Sequence, residues 1–100
     1  MKVRNMTSAK GNKIANQFII TDSYLDENGR QHITETFQGY NSVIATVKDV
    51  GLVGEVVSLD AEKWDYSVTT GKYRNQFLGE GVAETRKKIA SGEYKLVDLN

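Results

Sequence analysis

The stretch WDYSVTTGKYRNQFLG, residues 64 to 79, gathers four aromatic rings, a Thr-Thr pair, two cations and a Gln. Two readings compete for it. In one it is a strand end followed by a capped helix. Trp64 and Tyr66 then alternate as in a strand, and Thr69 and Thr70 are N-cap candidates for a helix over 71–79. Tyr73 and Phe77 stand at i and i+4, which puts both rings on the buried face. In the other reading the stretch is a partner-binding surface. Trp64, Lys72, Tyr73, Arg74 and Gln76 are its candidate contacts, because clustered aromatics beside Arg dominate binding hot spots. The two readings make opposite demands on Arg74, which is outward-facing in both but important only in the second.

A second candidate surface is basic. Lys2, Arg4, Lys10 and Lys13 fall in residues 1–20 without a single acid, and Arg86, Lys87 and Lys88 run consecutively near the C-terminus. The net charge is zero, but it divides as +4 over residues 1–20, −6 over 21–66 and +2 over 67–100. Such asymmetry creates local fields. If residues 1–13 are a flexible basic arm sharing a face with the second helix, these seven cations form a phosphate-tracking patch for nucleic acid. The zero net charge weighs against strong non-specific binding.

Several chemistries find no support. Without Cys there is no disulfide, thiolate metal site or cysteine nucleophile. His32 is the only imidazole, too little for a transition-metal site, and no Ser lies in a nucleophile-elbow pattern. DENGR, residues 26–30, lacks the ligand spacing and closing Glu of a calcium loop. TTGK lacks the upstream glycine of a phosphate-binding loop. The expectation is therefore no enzyme, no cofactor and no metal. No apolar run approaches the length of a membrane span, and no apolar core follows the basic N-terminus at signal-peptide length. A cytoplasmic protein without a membrane partner is expected, as a monomer or homodimer.

The elements that must position these residues follow from periodicity. KIANQFIITDSYL, residues 13–25, reads as the clearest strand. Asn28-Gly29 predicts a two-residue hairpin turn, and residues 31–37 alternate strictly. Ile33 and Phe37 share a side with Glu35, an acid where an apolar residue would bury, which predicts an edge or partly open position. Strands are expected at 42–49, with Val43, Ala45 and Val47 on one face, and at 55–60. The period then changes. A helix over 82–91 carries Glu84 and Lys88 as an i,i+4 pair and stops at Gly92. Residues 93–99 return to the sheet. One domain over 1–100 is expected. Its class is α+β: an antiparallel sheet of four to six strands with two short C-terminal helices packed on one face.

NQFII at 16–20, FQGYNSVIA at 37–45 and YSVTTGKYRNQFL at 66–78 resemble a family of small proteins encoded by phages and mobile elements of Gram-positive bacteria. Phe37, Tyr40, Ser42, Ile44 and Ala45, then Tyr66, Ser67, Thr69, Thr70, Gln76, Phe77 and Leu78 carry the resemblance. It implies a phage or prophage accessory protein and no particular reaction. With the residue readings, it points to a non-enzymatic module that binds a host or phage protein, one form being inhibition of a host defence or nucleic-acid enzyme. The resemblance also marks VKDVGLVGEVV as a segment longer here than is usual for that family.

Overall fold

A computed structural model describes residues 1–100. Six strands form one sheet in the order β1 to β6: β1 (Lys2–Thr7), β2 (Lys13–Leu25), β3 (Gln31–Gly39), β4 (Ser42–Lys48), β5 (Val56–Asp60) and β6 (Tyr94–Val97). The first four pairings are antiparallel and β5–β6 is parallel. The sheet is thus mixed, because two parallel neighbours need a long crossover. Helices α1 (Val68–Leu78) and α2 (Val82–Ser91) supply it. The α+β class and the two helices against the sheet agree with the sequence reading. The basic segment expected as an arm is instead the edge strand β1, paired with β2 from Lys2 to Thr7. No helix is long and apolar enough to cross a membrane.

Register puts two rows of side chains on the helix-facing side. One runs Arg4, Ile19, Phe37, Ala45, Leu59, Leu96, and the next runs Lys2, Thr21, Glu35, Val47, Val57, Tyr94. The core forms where the helices cover these rows. Met6, Ile19, Phe37 and Ile44 make one buried cluster, against which Tyr73 and Phe77 pack. Ala45, Val57, Leu59 and Tyr94 make another, met by Trp64, Phe77, Leu78 and Ile89. Phe77 touches both, and its ring lies 5.8 Å from that of Phe37. The helical pairing of Tyr73 with Phe77 is therefore a packing device, as the i,i+4 spacing predicts.

Local details depart from the sequence reading for identifiable reasons. The 26–30 turn is a three-residue loop, with only Gly29 left-handed (φ 77°). The Asp26 carboxylate accepts from the amides of Asn28 and Arg30 at 2.9 Å, which favours the longer loop over the two-residue turn. A bulge between Phe37 and Gln38 shifts the β3–β4 register. Ile44 and Ala45 are consequently both buried and Val43 lies opposite Gln38, away from Ala45 and Val47. Residues 48–57 form the end of an ordered β4–β5 hairpin.

Candidate functional site

The opening stretch is held from below by Asp60, which is 3% exposed. Its carboxylate accepts from the backbone amides of Lys63 at 3.0 Å and Leu99 at 2.9 Å. Burial opposes the charge, but these donors outweigh it and keep the carboxyl below its ordinary range. Residues 61–67 are accordingly a tight turn and bend, not the strand end that the Trp64/Tyr66 alternation predicts. The Ser67 side chain then caps α1, accepting from the Thr70 amide at 3.1 Å. Thr69 and Thr70 lie inside the helix. The cap is Ser67 because its extended backbone (φ −151°, ψ 160°) ends the loop there.

Arg74 reverses the sequence expectation. It is 1% exposed, not an outward contact. One of its terminal nitrogens donates to the Trp64 carbonyl at 2.7 Å and to Asp65 Oδ1 at 2.9 Å, and the other donates to Asn75 Oδ1 at 2.9 Å. The guanidinium lies 5.1 Å over the Trp64 ring, in cation–π range. Asp65 Oδ2 also accepts from Arg86 at 3.0 Å. The Arg74 bond, more than that of Arg86, holds the Asp65 carboxyl below its usual range against a desolvation cost. Arg74 is buried because the loop folds back over α1 and brings a carboxylate and a carbonyl to it, which no helical wheel shows.

The other partner candidates divide. Trp64 and Tyr73 are half-buried in the two core clusters. Gln76 donates to the Thr7 carbonyl at 2.8 Å and ties α1 to β1. Lys72 is exposed on the first turns of α1, 5.4 Å over the Tyr73 ring. The side chains this end of the molecule presents most openly include three that were not among the expected partner contacts. Tyr40 is 49% exposed, Tyr66 50% and Val68 91%. Lys63 joins them: its Nζ donates to Ser42 Oγ, at the base of the Tyr40 turn, and lies 5.9 Å over the Tyr66 ring. Tyr40 also holds a left-handed backbone, φ 55°, which is costly for a bulky L-residue. Its amide donates to the Asn16 carbonyl at 2.7 Å, anchoring the turn. No periodicity signals a positive φ at a tyrosine.

The seven cations do not assemble. Lys2 and Arg4 lie on β1, Lys10 in the following turn and Lys13 at the start of β2, whereas Arg86, Lys87 and Lys88 lie on α2, which packs against β6. β1 and β6 are opposite edges of the sheet, on the order of 24 Å apart at about 4.8 Å per strand. Several cations are also committed to acids. Arg86 pairs with Asp65, and Lys88 pairs with Glu80 at 2.7 Å, not with the expected Glu84. The Glu80 carboxylate accepts from Thr85 and from the Tyr94 hydroxyl as well. Burial resists its ionisation, yet these donors keep its carboxyl low. Burial and then Glu80 push Tyr94 up to about 12.

His32 is clamped rather than free. Its Nε2 meets Asp26 Oδ2 at 2.9 Å and its Nδ1 meets Asp49 Oδ1 at 2.8 Å, with the Tyr24 ring stacked at 4.8 Å. Asp26, then Asp49, hold the imidazolium and raise its pKa above the ordinary value. With a carboxylate on each nitrogen, the ring offers no lone pair to a substrate or metal. No group of three or more His, Asp or Glu side chains is arranged to hold a metal ion.

Fold and site together define a small α+β domain with an exposed aromatic and cationic end around Tyr40 and Tyr66. The chain belongs to a family of unknown function, DUF8033, whose model matches residues 1–93. No curated protein and no solved structure matches it.

Proposed function

We propose that this protein is a non-enzymatic binding module, a phage-type accessory protein that acts by occupying a host or phage protein. The observation that carries the reading is Tyr40. An aromatic side chain stands half-exposed at a turn tip whose φ of 55° glycine would adopt without strain. Strain retained at an exposed side chain is a mark of a functional position. Tyr66 and Val68, near the α1 N-terminus, supply exposed aromatic and apolar area, and Lys63 and Lys72 beside them make a polar rim of the kind that borders protein interfaces. The surface of the module is thus shifted from Arg74, which supports it from beneath, to the tyrosines.

The test is affinity capture from host lysate with wild-type protein and with Tyr40→Gly combined with Tyr66→Ala. The expected result is a stoichiometric protein partner retained by the wild type and lost by the double variant. Tyr40→Gly alone should leave stability unchanged or raise it by up to about 1 kcal/mol, since relief of left-handed strain (about 1–2 kcal/mol) exceeds the entropic cost of glycine (about 0.5–1 kcal/mol). Recovery of no stoichiometric partner under several conditions, or equal capture by the variant, refutes the proposal.

A further inference from the structure

Glu35 is the acid that breaks the apolar pattern of its face of β3, between Ile33 and Phe37. Its neighbours across the sheet are Thr21 and Val47, and Val57 follows. Its side chain is only 30% exposed, and its ionic partner Arg4 stands 3.8 Å away, itself 63% exposed. At that distance there is no hydrogen bond. A carboxylate on the core side of a central strand with so loose a partner is costly.

Glu35 also lines a cavity of about 210 Å3 between the sheet and the C-terminal end of α1. Val47, Val57, Phe77 and Leu78 form apolar walls, and Glu55 places a second carboxylate there. Past Glu35 and Phe77 the surface continues into another cavity of about 260 Å3, bordered by Arg4, Thr7 and Gln76.

We infer that the cavity walled by Val47, Val57, Phe77 and Leu78 receives one lysine side chain of a polypeptide partner, with Glu35 and Glu55 holding its ammonium. The volume is below the roughly 300 Å3 at which pockets for drug-sized molecules begin, and suits a single side chain. Apolar walls take the methylene stem while the charged head reaches the rim. One carboxylate on β3 and one in the loop before β5, the latter also accepting from the Gly51 amide at 2.8 Å, match a compact ammonium with three donors better than a planar guanidinium fork. The adjoining polar cavity gives the partner's main chain a place beside the inserted residue, which a free amine would leave empty. Arg4 is a competing cation at the rim. The site lies at the C-terminal end of α1, whereas the tyrosine surface lies at its N-terminal end, so either reading can fail without the other.

The test is an amide chemical-shift titration with N-acetyl-lysine methylamide, its norleucine counterpart and n-butylammonium chloride. Saturable shifts are expected with the lysine probe at Glu35, Val47, Val57 and Leu78. They should weaken by about tenfold or more with norleucine and in Glu35→Gln, the loss of one charge-assisted hydrogen bond. Arg4→Gln should bind more tightly. Urea melts check that Glu35→Gln remains as stable as the wild type, so that lost binding is not lost folding. Absence of saturable shifts with the lysine probe, equal binding of norleucine, wild-type binding by Glu35→Gln, or weaker binding by Arg4→Gln overturns the inference. Binding of n-butylammonium as tight as that of the lysine probe overturns the polypeptide assignment.

Discussion

Arg74→Ala should be among the most damaging single changes in this protein, although the residue reads from sequence as a surface cation on an exposed helix face. The substitution leaves the Trp64 carbonyl without its 2.7 Å donor, at a cost of about 1–3 kcal/mol for an unsatisfied buried acceptor. It also breaks a pair whose cation is 1% exposed. Removing one member of a fully buried pair costs about 3–5 kcal/mol. Here that figure must be reduced, because Asp65 is 31% exposed and keeps Arg86 as a second partner. The terms overlap in one network and are not additive. A net loss of about 3 kcal/mol follows, set against a total of about 5–15 kcal/mol for a domain of this kind. Urea denaturation followed by Trp64 fluorescence and far-ultraviolet circular dichroism should show a midpoint lowered by about 1–3 M. Arg74→Met keeps most of the buried stem and should recover part of the loss. A midpoint for Arg74→Ala equivalent to within about 0.5 kcal/mol of wild type, the range of ordinary surface changes, would refute the burial and the network together.

Phe77→Ala should cost about 3–5 kcal/mol in the same melt, because its ring bridges both core clusters. Ser67→Ala should cost about 0.5–2 kcal/mol through the lost cap, while exposed Thr69→Ala stays within about 0.5 kcal/mol; equal losses at the two positions would place the cap elsewhere. The His32 clamp predicts a pH dependence of definite sign. Its folded pKa is raised above the unfolded value of about 6.5. Its contribution is therefore fully present below pH about 6.5 and is lost as pH rises through the higher folded value. Proton NMR should find the His32 titration displaced upward, and His32→Asn should flatten stability over that window. A His32 pKa at or below about 6.5 would contradict the double clamp.

Elements with a strong periodic signal were legible in the chain. The strand over 13–25, the helix over 82–91 with its Gly92 stop, and the Tyr73/Phe77 face all stand where local pattern places them. Hydrophobic spacing is a one-dimensional property, and the α+β class follows from it. Glu35 was visible as an anomaly for the same reason, since alternation exposes a misplaced acid without any structure.

The tertiary fold decided what each polar residue does. Arg74 is buried because a loop anchored by Asp60 brings Trp64 and Asp65 back over α1, and loop anchoring by backbone amides leaves no periodic trace. The two basic segments were separable only once strand order was known, because adjacency in a sheet is fixed by pairing across the chain and not by composition. Lys88 chose Glu80 over Glu84 because Glu80 is already held between Thr85 and Tyr94. Sequence alone therefore settled the strongly periodic segments and the apolar side of their faces, but not β1, which it read as an arm, nor the face of β4, which a bulge shifts. Which charges are free and which are spent inside the molecule depends on long-range contacts among residues far apart in the chain, and only the tertiary structure supplies those.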